Sequence, residues 1–283
     1  GSENCIREHV WIRLRKNRMA SAGLVILVFL AVMAVFGPHM SDYTYYEQNL
    51  EDKNLKPSGE HWFGTDGLGR DMFVRTWYGA RVSLLIGLAA GLIDLVIGVL
   101  YGGISGYLGG RIDEIMMRIV DVLWGLPYLL IVILLLVVME PGILTIIIAL
   151  SVTGWLRMAR LVRGQVLQLK EREYVLAART LGASGMRILF KHLLPNSLGP
   201  IIVLLTYPVP GAIFGEAFLS FLGLGVQAPF ASWGTMINDA TAVILSGEWW
   251  RLFFPAFFLS LTLLAFNMLG DGLRDALDPR TKK

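Results

Sequence analysis

The feature of this sequence that most constrains its fold is a series of long apolar blocks. They cover residues 19–36, 82–107, 119–139, 141–156, 199–224 and 252–270. These lengths approach the roughly 20 residues that a helix needs to cross a bilayer core about 30 Å thick. Hydrophobic residues make up 55% of the chain, above the roughly 45–50% of soluble domains. We therefore expect an all-α membrane protein with about six transmembrane helices.

The distribution of basic residues predicts on which side of the membrane each connecting segment lies. With a cytoplasmic N-terminus, 19 of the 25 Lys and Arg residues fall inside, which is the bias of cytoplasmic loops. Both termini of this multi-pass protein are therefore expected in the cytoplasm. The residues that fall outside are Lys53, Lys56, Arg70, Arg75, Arg81 and Arg251.

The first block follows a basic stretch, so it has two interpretations. A cleaved signal peptide has the same order of charges, but its apolar region is usually shorter and ends at small residues. This block is followed by Gly37, Pro38 and His39. A retained anchor is therefore the favoured interpretation.

The loop after the first block carries seven acidic residues between Asp42 and Asp71, and we call residues 37–80 the acidic loop. It is interpreted as a structured connector that braces the outer face, or alternatively as a contact for a substrate-delivery protein. The predicted regions are a cytoplasmic N-terminal segment (1–18), a first span (19–36), the extracytoplasmic acidic loop (37–80), a core of five spans (81–272) and a cytoplasmic tail (273–283).

Composition and motifs exclude several classes of function. The net charge is +3, but the basic residues form no aromatic-studded patch, so no nucleic-acid partner is expected. Cys5 stands alone and the four histidines lack metal-ligand spacing, so no metal site is predicted. The chain has no phosphate-binding Gly-x-x-x-x-Gly-Lys-Ser/Thr loop and no motif of a metalloprotease or serine hydrolase. A membrane-embedded enzyme is therefore disfavoured, and any ATP hydrolysis must belong to a partner.

Glycines recur at four-residue spacing along the second block. Small residues that share one helix face let membrane helices approach closely. We interpret them as a packing face within this subunit, with packing against a second subunit as the alternative. The two series are Gly87 and Gly91, then Gly98, Gly102, Gly106 and Gly110.

Polar and helix-breaking residues inside the blocks are candidates for a translocation pathway. An acid costs roughly 2.5–3.5 kcal/mol at a helix centre, so Asp94, Asp121 and Glu216 should face protein or water. Pro208 and Pro210 are expected to kink the fifth span. Asp94, Pro208, Pro210 and Glu216 are assigned to the pathway. A structural acid paired with a neighbour explains Glu216 equally well, and Asp121 is expected to be hydrated or paired.

The segment between the fourth and fifth spans, residues 157–196, holds eight basic and two acidic residues and must lie in the cytoplasm. We call it the basic loop. Apolar residues at helical spacing predict two short helices in it. One face is formed by Tyr174, Ala177, Ala178 and Leu181, and the other by Met186, Leu189, Phe190 and Leu193.

Turn and cap residues divide these two helices. Gly182 stands where a helix end needs a left-handed residue, Ser184 can cap the second helix and Pro195 marks its end. The apolar side of such a pair would dock into a protein partner or rest on lipid headgroups. The pattern alone favours neither.

At the basic loop the sequence resembles the permeases of ATP-binding-cassette (ABC) importers. Their loop carries Glu-Ala-Ala, three residues, Gly, nine residues and Ile-x-Leu-Pro. The matching positions are Leu176, Ala177 and Ala178, then Gly182, then His192, Leu193, Leu194 and Pro195. Leu176 replaces the glutamate and His192 the isoleucine, so the role of that glutamate is not carried over, although Glu173 lies one turn earlier.

Further stretches resemble the C-type permease of oligopeptide and dipeptide importers, and the resemblance covers nearly the whole chain. These are residues 64–66, 69–71, 79–84, 218–225 and 270–279. The resemblance implies the type I ABC importer permease fold, with the basic loop as a cytoplasmic coupling-helix loop between helices 4 and 5. It implies ATPase coupling by Glu173, Tyr174, Ala177, Ala178, Leu181, Gly182, Ala183, Arg187 and Pro195.

The resemblance also implies the partners and the cargo. The partners are a second homologous permease, two ABC ATPase subunits, an extracytoplasmic peptide-binding protein and the lipid bilayer of a bacterial cell. ATP and Mg would be bound by the ATPases, and no cofactor by this chain, which would not itself be an enzyme. The implied cargo is peptide, oligopeptide favoured over dipeptide; related permeases import nickel, glutathione or other small solutes. An ion-coupled secondary transporter is the rival class.

Overall fold

The computed structural model describes residues 17–197 and 206–277, and regular structure in these ranges is helical. Thr65 and Asp71 form an isolated β-bridge. A π-helical turn, Ile188–Leu193, follows the seventh helix. The helices are α1 (Arg18–Phe36), α2 (Met72–Leu108), α3 (Gly110–Trp124), α4 (Tyr128–Val138), α5 (Ile143–Leu169), α6 (Glu173–Thr180), α7 (Gly185–Arg187), α8 (Pro208–Phe221), α9 (Trp233–Thr241) and α10 (Trp249–Leu277).

Four helices in the described ranges are long and apolar enough to cross a membrane, namely α1, α2, α5 and α10. Helices α3 and α4 count as a fifth span if they are taken together. The predicted fifth block starts at residue 199, and its first residues lie outside the described ranges; α8 forms its second half. The prediction of an all-α membrane protein is therefore confirmed, with four or five of the six predicted spans in the described residues.

The third predicted span, residues 119–139, is bent rather than straight. Helix α3 begins at Gly110 and ends at Trp124, and α4 begins at Tyr128, directly after Pro127. Their axes differ by 82°. A proline disfavours helical backbone in the residue before it, so the chain leaves the helix there and starts a new one. The predicted third span is therefore present as a bent pair of helices.

Two helices extend beyond their apolar blocks. Helix α2 begins at Met72 rather than near residue 82, because the Asp71 carboxylate accepts a hydrogen bond from the Val74 N–H at 2.9 Å and caps it. Helix α5 continues to Leu169, although its block ends near residue 156. The first part of the basic loop is therefore a continuation of a spanning helix.

The glycine face of α2 packs against α5. A methyl group on Gly98 would lie 2.5 Å from the Met158 Cβ, and one on Gly106 would lie 2.8 Å from the Arg163 carbonyl oxygen. A methyl on Gly102 would collide with the Ala159 backbone. The backbones of α2 and α5 can approach this closely because these glycines have no side chains.

The segment of the same helix around Gly87 and Gly91 packs against α8. A side chain at Gly87 would collide with Ile213, and one at Gly91 would come within 2.8 Å of the Val209 side chain. Packing within the subunit is therefore confirmed for these glycines and for those that face α5. Gly110 is different: it has open space around it and a φ of 56°, and it starts α3.

The acidic loop is a structured connector. The Trp250 indole N–H on α10 donates to the Thr65 carbonyl oxygen at 3.1 Å. The buried His61 Nδ1 and Asp71 Oδ2 lie 2.8 Å apart, so the loop is tied to the start of α2. The interpretation as a structured connector is confirmed; its place on the outer face and a contact with a delivery protein stay predictions.

The α2–α5 contact gives the first testable prediction. Gly102→Ala should lower the melting temperature of the detergent-purified protein, because the methyl group must push two backbones apart at a cost of about 1–3 kcal/mol. The matched control is Gly164→Ala on α5, where a Cβ meets nothing within 4 Å. This control should leave the melting temperature unchanged or raised. Equal melting temperatures for the two variants would contradict the proposed packing.

Candidate functional site

The basic loop turns sharply after α6. Gly182 has a φ of 80°, its N–H donates to the Arg179 carbonyl at 3.0 Å, and the Ala183 N–H donates to the Ala178 carbonyl at 3.1 Å. These two bonds define a Schellman end, which needs a left-handed residue. A Cβ at Gly182 would meet nothing within 4 Å, so the backbone angle alone requires glycine there. The left-handed turn predicted at Gly182 is confirmed.

Helix α6 presents its predicted apolar face outward. Leu181 is 88% exposed and Tyr174 is 39% exposed, and Ala177 between them is also exposed. Val175 points the other way and is fully buried. Three of the four residues of the predicted face, Tyr174, Ala177 and Leu181, are thus free on this subunit, while Val175 holds the helix to the fold.

The second apolar face of the loop is divided in the structure. Leu189 and Leu193 are buried with Ile188, whereas Met186 and Phe190 are exposed. In a π-helix the hydrogen bonds run from i to i+5, so Ile188 and Leu193 come onto one side. The prediction of one shared face for Met186, Leu189, Phe190 and Leu193 is therefore wrong.

The remaining predicted coupling residues lie around these two helices. Glu173 is exposed in the first turn of α6, where a carboxylate is favourable near the helix N-terminus. Ala178 and Ala183 are half-buried against the loop's core. Arg187 and Pro195 are exposed.

The loop is fastened to α5 and α2 by an apolar cluster. Val175 packs with Ile188, Leu189 and Leu193 from the loop, and with residues of both spanning helices. The α5 members are Met158, Val162 and Val166, and partly buried α2 members include Leu95, Val99 and Tyr107. Movement of α6 is therefore mechanically linked to these helices.

An ion pair extends this linkage to α3. The Arg163 guanidinium on α5 donates two bonds of 2.6 Å to the Asp113 carboxylate, which also accepts the Ser105 hydroxyl at 2.5 Å. Bidentate pairs of this kind fix relative orientation as well as distance. A second pair joins Arg160 to Asp121 at 2.8 Å, so the expectation that Asp121 is hydrated or paired is met.

A cavity of about 630 Å³ lies beside these helices. Asp94 and Pro208, both predicted pathway residues, line it. Pro210 and Glu216 are buried elsewhere in the packing of α8 and are not among its lining residues. The structure thus brings two of the four predicted residues together.

Sequence reasoning missed most of the cavity wall. Tyr128, Gly154, Arg157 and Tyr207 also line it. The signal for two of them was a proline, since Tyr128 follows Pro127 and Tyr207 precedes Pro208. Arg157 was placed in the basic loop, since hydropathy marks the end of a block and not the end of a helix.

Glu216 is a fully buried acid with polar neighbours. It accepts the Ser220 hydroxyl at 2.6 Å and the Ser83 hydroxyl at 3.1 Å. Ser83 in turn accepts the Trp233 N–H at 3.2 Å. These bonds connect α2, α8 and α9, so the geometry favours the alternative interpretation of Glu216 as a paired structural acid.

The described residues contain no group of three or more His, Cys, Asp or Glu side chains that could hold a metal ion.

The Glu216 network gives the second prediction. Glu216→Ala should lower the melting temperature more than Glu216→Gln, because alanine leaves two buried hydroxyls without their partner at about 1–3 kcal/mol each. Glutamine keeps an acceptor and a donor in place. Should Glu216 instead contact cargo, Glu216→Gln would lose uptake with an unchanged melting temperature.

Comparisons with known proteins agree with this architecture. The model of the family described as binding-protein-dependent transport system inner membrane component matches residues 98–283. The model of the N-terminal TM domain of oligopeptide transport permease C matches residues 7–57.

Relatives of known name align along almost the whole chain. A dipeptide transport system permease protein, DppC, of Bacillus subtilis is 65% identical over 276 residues, which are 98% of this chain and 86% of the relative. An oligopeptide transport system permease protein, OppC, of the same organism is 59% identical over 96% of this chain and 89% of its own.

A solved structure shares the fold at low sequence identity. Inward-facing MetNI, a methionine ABC transporter, contains a chain that superposes with a TM-score of 0.58 at 20% identity. The match covers 73% of this chain and 98% of that one. At this identity the likeness shows the fold, which is that of a type I ABC importer permease.

Proposed function

This chain belongs to the family of binding-protein-dependent transport system inner membrane components, and we propose that it is the permease subunit of a bacterial ATP-driven peptide importer. The observation that carries the proposal is the exposed face of Tyr174, Ala177 and Leu181 beside the Gly182 turn. A face of this kind, fastened from behind by Val175, is suited to docking into a protein cleft.

The proposal includes a set of partners. A second homologous permease completes the pathway, two ABC ATPase subunits receive the coupling helices, and an extracytoplasmic peptide-binding protein delivers cargo. ATP and Mg belong to the ATPases, and this chain binds no cofactor and catalyses no reaction itself. These assignments rest on family membership and on the absence of a phosphate-binding loop from the sequence.

We also propose the topology expected from the charges. Both termini and the basic loop lie in the cytoplasm, the acidic loop lies outside, and the protein resides in the inner or plasma membrane. The regional division at residues 18, 36, 80 and 272 is kept, with α2 and α5 extending beyond the apolar blocks.

The proposed cargo is peptide, with oligopeptides favoured over dipeptides. The match of residues 7–57 to an oligopeptide permease N-terminal domain supports this preference. The relatives named above include a dipeptide and an oligopeptide permease protein. Nickel, glutathione or another small solute is the alternative cargo.

The proposed mechanism follows the contacts of the basic loop. ATP-driven closure of the ATPases moves α6, the apolar cluster behind Val175 moves α5, and the Arg163–Asp113 pair carries α3 with it. Helices α3 and α5 both contribute residues to the cavity wall. Their movement switches the cavity from inward-open to outward-open, as a two-state equilibrium that ATP biases from one end.

The docking face gives the third prediction. Leu181→Ala and Tyr174→Ala should each reduce recovery of the ATPase subunits with the tagged permease by about tenfold, because we expect truncation of a central apolar contact to remove about 1.4 kcal/mol of binding energy. The melting temperature of the permease should not change, since both side chains are exposed.

The controls for this prediction separate docking from folding. Leu245→Ala removes a fully exposed leucine in the turn Ile244–Ser246 and should leave ATPase recovery unchanged. Val175→Ala should lower the melting temperature, because Val175 is buried. Undiminished ATPase recovery with both docking variants would overturn the assignment of this face.

The Gly182 turn gives the fourth prediction. Gly182→Val should uncouple ATP hydrolysis from peptide uptake in proteoliposomes, because a β-branched residue strongly disfavours a φ of 80°. Gly182→Asn should retain much more uptake, since asparagine tolerates the left-handed region. Equal uptake by the two variants would exclude a backbone role for this glycine.

Energy dependence separates the proposed importer from a secondary transporter. Uptake by the reconstituted complex should stop when ATP is omitted and continue when the ion gradient is collapsed. The reverse result, from the permease alone, would replace the importer with an ion-coupled transporter and assign the basic loop to the membrane surface.

A further inference from the structure

Asp94 lies inside the second spanning helix, between Gly91 and Gly98 of its packing face, and lines the cavity described above. The residue is only 4% exposed. A carboxylate in such a position is expensive unless a partner compensates it. The Asp94 carboxylate therefore requires a compensating partner.

The fold compensates this carboxylate poorly. The Trp155 backbone N–H on α5 lies near the Asp94 side chain. The Asp94 Oδ1 atom is buried and has no hydrogen-bond partner among the described residues. The carboxylate thus has an oxygen atom for which the described part of the fold provides no partner.

Helix α5 is shaped to receive this carboxylate. Gly154 lies directly opposite, and a Cβ on it would collide with the Asp94 carboxylate. Gly154 also lines the cavity. The absence of a side chain at residue 154 therefore leaves the acid group at the cavity wall, where any larger residue would displace it.

Two further polar groups share the cavity. The Tyr128 hydroxyl is buried and has no hydrogen-bond partner in the described ranges. The exposed Arg157 lines the cavity one helical turn after Gly154, yet forms no ion pair with Asp94 within 4 Å in the described structure. Arg157, the basic residue nearest in sequence to Gly154, therefore does not neutralise the Asp94 carboxylate.

We propose that Asp94 is the recognition group of the cavity for the cationic end of a peptide, its α-ammonium, and that the Tyr128 hydroxyl accepts a further bond from the same group. An ammonium has three donors and no acceptor, so it can satisfy an open carboxylate oxygen and a phenol oxygen together. The volume of about 630 Å³ lies in the range of small-molecule sites. This inference rests on the proposed function in peptide import.

The test measures binding to the permease–ATPase complex purified without its binding protein, so that selection by the delivery protein cannot contribute. The probes are trialanine and N-acetyl-trialanine, which differ in the charge of the amino end. The wild-type complex should bind trialanine at least about tenfold more tightly. Asp94→Asn should bind the two peptides with similar affinity, because the amide has nearly the shape of the carboxylate but carries no charge.

Matched variants separate recognition from packing. Asp121→Asn changes an acid that pairs with Arg160 and does not line the cavity, so it should keep the tenfold preference. Gly154→Ala should lose the preference although Asp94 is intact, because the methyl group displaces the carboxylate. The melting temperature of each complex reports whether the variant is folded.

The outcomes are separable from those of the proposed function. If wild-type proteoliposomes import trialanine in an ATP-dependent manner but the complex shows no amino-end preference, the importer stands and the role of Asp94 is overturned. A preference that survives in Asp94→Asn also overturns it. If the wild-type complex imports no peptide at all with its binding protein present, peptide import itself fails.

Discussion

The contact between α2 and α5 is the constraint on which the rest of the structure depends. Apolar side chains gain little by leaving lipid, so membrane helices pack through close backbone approach instead. Gly98, Gly102 and Gly106 provide that approach over the C-terminal part of α2. Helix α5 is thereby held against α2, and it carries cavity-lining residues in its middle and leads towards α6 at its C-terminal end.

The length of α5 explains how a surface element can affect a buried cavity. Hydropathy requires the helix to stop near residue 156, but the backbone continues to Leu169 without a break. Met158 belongs to both the cavity wall and the cluster beneath α6, so one rigid element contacts both sites. The Arg163–Asp113 pair then adds α3, whose start is set by Gly109 and Gly110, both with positive φ.

Properties that are local in sequence could be predicted, and those that arise from packing could not. The apolar blocks predicted spanning helices because insertion depends on average hydropathy, and Gly182 was predictable because a helix end needs a left-handed residue. The 82° bend between α3 and α4 was missed, although Pro127 marks it, because block length was taken as helix length. The π-turn at Ile188–Leu193 reversed part of a predicted face, since helical spacing assumes 3.6 residues per turn. The cavity is lined by residues from separate segments of the chain, and a periodic pattern within one segment cannot predict such a site.

The two acids Asp94 and Glu216 show how far sequence can separate a structural group from a functional one. Both lie in apolar blocks and have the same insertion cost, so hydropathy treats them alike. Glu216 has Ser220 one helical turn later and bonds to it at 2.6 Å. Asp94 has only apolar residues or glycine at three and four positions on either side, so its own helix offers no side-chain partner. An intramembrane acid without a polar neighbour on its own helix must find its partner across a helix contact or in a cavity, and Asp94 lies at both, beside Gly154 of α5 and in the cavity wall.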